Sequence, residues 1–276
     1  MRIEQITSAQ NPKIKNLLLL QEKSKARREQ GLFVVEGRRE LEHCLEAGYS
    51  VRTLFVCPAI YGDFDSAENY FLCSSPKNQF PAESSANSII DIPETLYRKV
   101  AYRESTEGII AEVEYKSLKL GDLQLPENPL VMVLESVEKP GNLGAVLRSA
   151  DAAGVDAVIF CDPLTDLYNP NLIRASIGAV FTVPTVAVSS EEAIAFLKAR
   201  DIQILTAQLQ DSSLYYDIDM RRGTALVMGT EATGLTDAWR KAASAHIRIP
   251  MLGRLDSLNV SVSAAILLFE AVRQRQ

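Results

Sequence analysis

Two successive α/β units are predicted for this chain of 276 residues. Three observations carry that expectation. Short apolar runs alternate with stretches of helical spacing, a composition change falls near residue 120, and the length exceeds a typical domain of about 100–150 residues.

In the first unit, Ser8 and Asn11-Pro12 mark a helix start with Pro12 near its first turn, followed by Ile14, Leu17, Leu18 and Gln21 at helical spacing. Leu32 to Val35 reads as a strand, Gly37 to Glu46 as a helix closed by Gly48, and Val51 to Val56 as a strand. The stretch 60–92 gives no clear period. A helix after Pro93 and a strand from Ile109 to Val113 complete a small domain over 1–118. Leu118 to Pro129 ends in two prolines, and 119–128 reads as a linker.

The remainder, 129–276, alternates more clearly. Leu130 to Leu134 has the continuous apolar run of a buried parallel strand. A loop to Asn142 precedes a helix from about Leu143, capped by Gly154. Asp156 to Phe160 is a strand, Asn169-Pro170 starts a helix through Ile177, and Phe181 to Val188 is extended. Ser189 and Glu192 form a capping box for a helix ending near Arg200. Ile202 to Leu205, Ala225 to Met228 and His246 to Ile249 are strands. Thr236 to Ser244 and Asn259 to Gln274 are helices, the last apolar nearly all round. Such alternation predicts a parallel sheet.

Composition narrows the function classes. The formal net charge is −6, which argues against a generic nucleic-acid coat. The charge is uneven, however: residues 1–121 hold 16 Lys/Arg and 17 Asp/Glu, leaving 13 and 18 beyond. Within 1–28 the basic residues dominate, and Lys13, Lys15, Lys25, Arg27 and Arg28 are candidate phosphate contacts, with a solvated helix face as the alternative. Cys44, Cys57, Cys73 and Cys161 form no C-x-x-C pair, and His43 and His246 are the only histidines. Neither a metal centre nor a disulfide framework is expected. The N-terminus lacks a signal-peptide core, and no apolar run is long enough for a bilayer, so a cytoplasmic protein is expected.

Ligands of open parallel sheets sit at the carboxyl ends of the strands. Three such junctions are unusual: Glu135 to Arg148, with Asn142 and Gly144; Val227 to Leu235, with Gly229, Glu231 and Gly234; and Ile249 to Ser261, with Ile-Pro-Met then Ser257-Leu-Asn259-Val-Ser261. None fits a dinucleotide fingerprint. Gly229 and Gly234 have phosphate-loop spacing, but Leu235 stands where a lysine must be.

In order and spacing, the three junctions resemble the signature motifs of the SpoU (TrmH) family of RNA ribose 2′-O-methyltransferases, in the SPOUT superfamily. The first is Asn142, Gly144 and Arg148; the second Gly229, Glu231 and Gly234; the third Ile249 to Met251 with Ser257 to Ser261. More loosely, Ile6-Thr-Ser-x-x-Asn-Pro12 and Phe33-Val-Val-Glu-Gly37 are similar to the L30e-like RNA-binding domain many members carry. The resemblance implies a deep trefoil knot in 129–276, S-adenosyl-L-methionine as cofactor, and a homodimer through the C-terminal domain. It implies methyl transfer to a ribose 2′-hydroxyl of RNA, with 23S ribosomal RNA favoured; a tRNA substrate, or a non-catalytic RNA-binding protein keeping the fold, are the alternatives.

By that resemblance the catalytic set is Arg148, Asn142, Glu231, Ser257 and Asn259, and the cofactor set is Gly229, Ile249, Met251 and Leu258. Each has a blander reading. Arg148 would be a surface arginine paired with Asp151, Asn142 a helix cap, Glu231 an exposed loop acid, Ser257 and Asn259 caps of the last helix, and Ile249 and Leu258 core. The resemblance implies that Arg148 assists loss of the hydroxyl proton; a guanidinium is a poor base, so the alternative is that it stabilises a developing alkoxide or holds a phosphate. Glu231 would position Arg148 or its counterpart in the partner subunit. Gly229 would allow a ligand to approach the chain, and Thr206 and Ala207 are looser cofactor candidates. The last helix is expected to be buried, inside the monomer or in a dimer interface.

Overall fold

The computed structural model describes residues 3–62, 88–103, 107–230, 233–254 and 257–276. The chain divides into two compact units, Met1–Lys116 with Tyr168–Arg174, and Ser117–Leu167 with Ala175–Gln276.

The first unit runs β1 (Ile3–Gln5), α1 (Pro12–Glu22), α2 (Ser24–Gln30), β2 (Leu32–Glu36), α3 (Arg38–Glu46), β3 (Val51–Val56), α4 (Pro58–Tyr61), β4 (Ser88–Asp91), α5 (Glu94–Val100) and β5 (Ile109–Glu114). Its sheet has the order β1-β4-β3-β5-β2, with β1, β4 and β3 parallel and β5 antiparallel to β3 and β2. Helix α1 starts as its sequence dictates. The Asn11 side chain accepts from the Lys13 amide at 2.9 Å, and Pro12 opens the first turn, where a missing N–H costs nothing. Its face of Ile14, Leu17 and Leu20 packs with Val34, Phe55 and Ile110. Strands β1 and β4 are too short to show an alternating period, which is why neither is legible in the sequence.

Arg27 departs from its expected role. It is buried, and its Nη1 donates to the carbonyls of Leu20 at 2.7 Å and Gln21 at 3.2 Å. Those carbonyls end α1 and have no partner within the helix, so the guanidinium serves as a C-terminal cap and is not presented to a phosphate. Lys13, Lys15, Lys25 and Arg28 are exposed. Lys13 pairs with Glu4 at 2.5 Å and Lys25 with Glu29 at 3.7 Å. Tyr168 joins this unit by stacking on Phe33, ring centroids 4.2 Å apart, and by donating its hydroxyl to the Lys116 carbonyl at 2.6 Å.

The chain continues with β6 (Leu130–Glu135), α6 (Pro140–Ala152), β7 (Ala157–Cys161), α7 (Pro170–Ser176, most of it in the first unit), α8 (Ala179–Thr182), β8 (Thr185–Val188), α9 (Ser190–Ala199) and β9 (Gln203–Ala207). It ends with β10 (Ser213–Leu214), β11 (Thr224–Met228), α10 (Asp237–Ala242), β12 (Ala245–Arg248) and α11 (Val260–Arg275). The strands form one parallel sheet in the order β10-β12-β9-β11-β6-β7-β8. Val131, Val133, Ile159, Ile204 and Val227 form its core with the fully buried Trp239. Among the described residues no helix is long and apolar enough to cross a membrane.

Three local expectations are corrected. The segment 119–128 is no free linker. Leu123 is buried in the second unit's core and Leu118, Leu120 and Leu125 pack against it, while Asn128 accepts from the Gly223 amide. Phe181 and Thr182 are helical, because a single turn after Gly178 is too short to show a 3.6-residue period. Helix α6 begins at Pro140 and not near Leu143, since the fixed φ of proline suits the first helical position, so Asn142 lies inside the first turn and is no N-cap.

Arg27→Ala should lower the stability of the first unit by about 2–3 kcal/mol, because two buried carbonyls lose a charged donor. Arg28→Ala should change it by less than about 0.5 kcal/mol. Urea unfolding of the two variants checks the contrast; equal effects would refute the capping role.

Candidate active site

The carboxyl ends of three neighbouring strands, β9 at Ala207, β11 at Met228 and β12 at Arg248, open into one cavity of about 380 Å³. That lies in the range of small-molecule sites, about 300–1,000 Å³. Its apolar wall includes Met228, Ile247, Ile249, Met251, Leu258 and Leu267. Its polar lining includes Gln208, Thr230, Thr233, Arg240, Ser257 and Ser263.

The loop after β11 is shaped by Gly229. A Cβ there would lie 2.3 Å from the Gly234 carbonyl oxygen, so the close approach this glycine permits is of the chain's own loop. Thr230 and Gly234 form a bridge, the Gly234 amide donating to the Thr230 carbonyl at 3.1 Å. The Thr230 hydroxyl also accepts from the Thr233 amide at 3.0 Å. Gly234 has φ +67°, a conformation that favours glycine. Glu231 lies outside the described residues.

The far end of this loop is held by a residue the sequence analysis left without a role. Glu135, at the end of β6, is buried, and its carboxylate accepts from the Thr236 amide at 2.9 Å and hydroxyl at 2.7 Å. It thereby caps α10 from another strand. Ser190 Oγ lies 3.3 Å from Glu135 but 2.6 Å from Asp162, so its single proton goes to Asp162, and it accepts from Trp239 Nε1 at 2.9 Å. The sequence signal was an acid closing a fully apolar strand, a position that burial makes costly unless it is paired.

The first and third motifs meet. Asn259 donates from Nδ2 to Asn142 Oδ1 at 3.1 Å, and its Oδ1 accepts from the Ser261 amide at 2.9 Å as the N-cap of α11. The capping reading of Asn259 therefore holds, and the same side chain reaches Asn142. Gly144 is obligatory for packing, since a Cβ would lie 2.5 Å from Ala175 Cβ. Arg148 is exposed and makes no hydrogen bond or ion pair with a described residue. Asp151, its expected partner, instead accepts from the Thr182 hydroxyl at 2.8 Å.

Ser257, Gly229, Ile249, Met251 and Leu258 thus line the cavity, while Asn142, Arg148 and Asn259 do not. Of the looser candidates, Ala207 lines it, whereas Thr206 is fully buried and bonded to His246 Nδ1 at 2.6 Å. Sequence reasoning missed Gln208, Thr230, Thr233 and Arg240, which sit on loops and a short helix without periodic pattern. Two of these have a buried side-chain atom with no hydrogen-bond partner among the described residues: Gln208 Oε1 and Arg240 Nε.

Residues 129–269 match the model of the SpoU rRNA Methylase family, and residues 11–111 match the MRM3-like substrate binding domain. The chain is 41% identical over 175 residues to the 23S rRNA (guanosine-2′-O-)-methyltransferase RlmB of Bordetella pertussis, covering 62% of this chain and 71% of that protein. It is 28% identical over 269 residues to the 23S rRNA (guanosine(2553)-2′-O)-methyltransferase RlmP of Bacillus subtilis, covering 97% and 98%. An AdoMet-bound rRNA methyltransferase from Sinorhizobium meliloti superposes with a TM-score of 0.86 at 28% identity, covering 98% of each chain.

Gly229→Ala should destabilise the second unit by about 1–3 kcal/mol through overpacking against Gly234. Asn259→Ala should cost about 1–2 kcal/mol, as α11 loses its cap and Asn142 a partner. Thermal unfolding measures both; a neutral Gly229→Ala would contradict the loop geometry.

Proposed function

The chain belongs to the SpoU rRNA methylase family, and from that premise we propose that it methylates a ribose 2′-hydroxyl of 23S ribosomal RNA, using S-adenosylmethionine. The observation that carries the reading is the cavity at the ends of β9, β11 and β12. It is walled by described residues of the second and third motifs, Gly229, Gly234, Ile249, Met251, Ser257 and Leu258. An apolar wall with a few convergent polar groups suits a nucleoside-sized ligand.

When bound, the cofactor supplies a methyl group made electrophilic by a sulfonium sulfur. The chain's own task is alignment and charge. Ile249, Met251 and Leu258 provide the apolar wall for an adenine ring, and the Gly229–Gly234 loop presents backbone groups beside it. Asn142 and Asn259 fix the start of α11 against α6, which keeps Ser257 and Leu258 at the cavity edge. Arg148 has an exposed guanidinium that bonds to no described residue, placed to take the negative charge that grows on the 2′-oxygen or to grip the adjoining phosphate. Glu231 is assigned to hold Arg148, or its counterpart in the partner subunit, in position.

The reading extends to the assembly. Lys13, Lys15, Lys25 and Arg28 present positive charge for RNA phosphates from an L30e-like N-terminal domain. The C-terminal domain carries the trefoil knot and pairs with a second copy through α11. That helix leaves Val262 and Phe269 47% and 49% exposed in the single chain, an apolar surface that burial between two copies would stabilise. The enzyme works in the cytoplasm, where ribosomal RNA is made and folded.

Transfer of labelled methyl from S-adenosylmethionine to 23S RNA should be readily measured with the whole protein. Arg148→Ala should lower turnover by roughly 10²-fold or more, while leaving cofactor affinity within about twofold. Retained turnover would refute the role of Arg148, and absence of ribose methylation by the unaltered protein would refute the substrate.

A further inference from the structure

The segment Phe33-Val-Val-Glu-Gly37 does more than complete β2. Glu36 is buried, and its carboxylate accepts from the amide of Tyr102 at 2.7 Å and from that of Arg103 at 3.3 Å. Those backbone donors offset the cost of taking the charge out of water. Gly37 leaves the space that Glu40 and Arg103 fill, a Cβ there lying 2.5 Å from Glu40 Oε2 and 3.0 Å from Arg103 Nη1. Arg103 Nη2 in turn donates to the buried Glu40. The turn after α5 is therefore tied down at two successive residues, yet Tyr102 keeps 40% of its surface exposed. Tyr102 and Arg174 line one notch of the first unit together with Gln21, Glu36 and Arg103, and Arg174 is exposed. The notch holds about 10 Å³, room for no more than a water molecule, so a larger ligand lies across its rim.

An aromatic ring on a fixed backbone, beside an exposed guanidinium, suits a flat group that carries an anion. A nucleobase with its phosphate has that make-up. We propose that Tyr102 stacks on an unpaired base of the RNA while Arg174 grips an adjoining phosphate. A base inside a duplex has both faces covered by its neighbours, so the contact selects looped, bulged or frayed RNA. Gln21 carries the notch to the end of α1, where its Nε2 donates to the Val100 carbonyl at 2.9 Å, and the next helix bears the exposed Lys25 and Arg28. The phosphate contacts proposed for α2 thus gain a base contact nearby. Arg174 comes from the stretch 129–269 that matches the methylase model but packs in the first unit, so both matched segments build this surface. The inference rests on the reading of the first unit as the part that holds RNA.

Filter binding of the whole protein to transcribed 23S ribosomal RNA separates the two ideas. Tyr102→Ala should weaken binding by roughly 5- to 100-fold, whereas Tyr102→Phe, which keeps the ring, should stay within about twofold. Arg174→Ala should weaken binding by roughly 3- to 10-fold and make its logarithmic salt dependence shallower by about one, a change that Tyr102→Ala should not produce. Failure of the unaltered protein to bind 23S RNA would overturn the RNA reading itself. If it binds, an unchanged affinity in Tyr102→Ala, or a loss in Tyr102→Phe as large as in Tyr102→Ala, would overturn the stacking contact. An unchanged salt slope in Arg174→Ala would overturn the phosphate contact. Should Tyr102→Ala not fold by circular dichroism, Tyr102→Leu takes its place, since it keeps apolar bulk without a ring face, and an unchanged affinity is again the refuting result.

Discussion

The cavity depends on one buried carboxylate. Glu135 ends β6 where the sheet's interior stops, and removing its charge from water costs several kcal/mol unless donors replace the lost hydration. Thr236 supplies two, one from its amide and one from its hydroxyl. The bonds fix where the loop from Gly229 to Leu235 must end, just as the contact of Gly229 with Gly234 fixes how it begins. The described ends of that loop, Gly229–Thr230 and Thr233–Leu235, are thereby tied to each other and to the sheet. Trp239 and Ser190 extend the anchor into the core, so the position of α10, and with it Arg240, is inherited from the packing of the sheet.

Much of the fold was legible because burial leaves a period. Leu130 to Leu134, Asp156 to Phe160 and Ala225 to Met228 are apolar runs with no polar face, and each is a parallel strand of the second unit. Helix α9 announces itself through Ser189 and Glu192, whose reciprocal bonds form as expected. Legibility failed where elements are too short to repeat their own period, as at β1, β4 and α8. It failed again where composition misled. Two prolines made 119–128 read as a linker, although its leucines had an apolar surface to cover. Arg27 looked like its basic neighbours, and only the three-dimensional position of two orphaned carbonyls sets it apart.

The site divides along the same line. Residues carried by a motif were found: Asn142 meets Asn259, and Gly229, Ile249, Met251, Ser257 and Leu258 reach the cavity. Gln208, Thr230, Thr233 and Arg240 were not, because they line it from loops and a short helix that leave no period in a sequence. Net charge was equally mute. The whole chain is acidic, yet the lining of this cavity holds two arginines and no described acid.

The sheet order also has a kinetic side. Its central pairing joins β6 to β11, Leu130 aligning with Thr224 and Leu134 with Met228. Every element of the second unit from β6 to β10 must be synthesised before those strands can meet, and such long-range parallel pairing is intrinsically slow. Strands β6, β7 and β8, which pair in sequence order, can assemble earlier, leaving one edge of β6 waiting for a partner. An open edge of that kind is a template for misassociation. The nascent enzyme is therefore most vulnerable in the interval between the emergence of β8 and the arrival of β11, and the floor of its cavity is among the last parts to form.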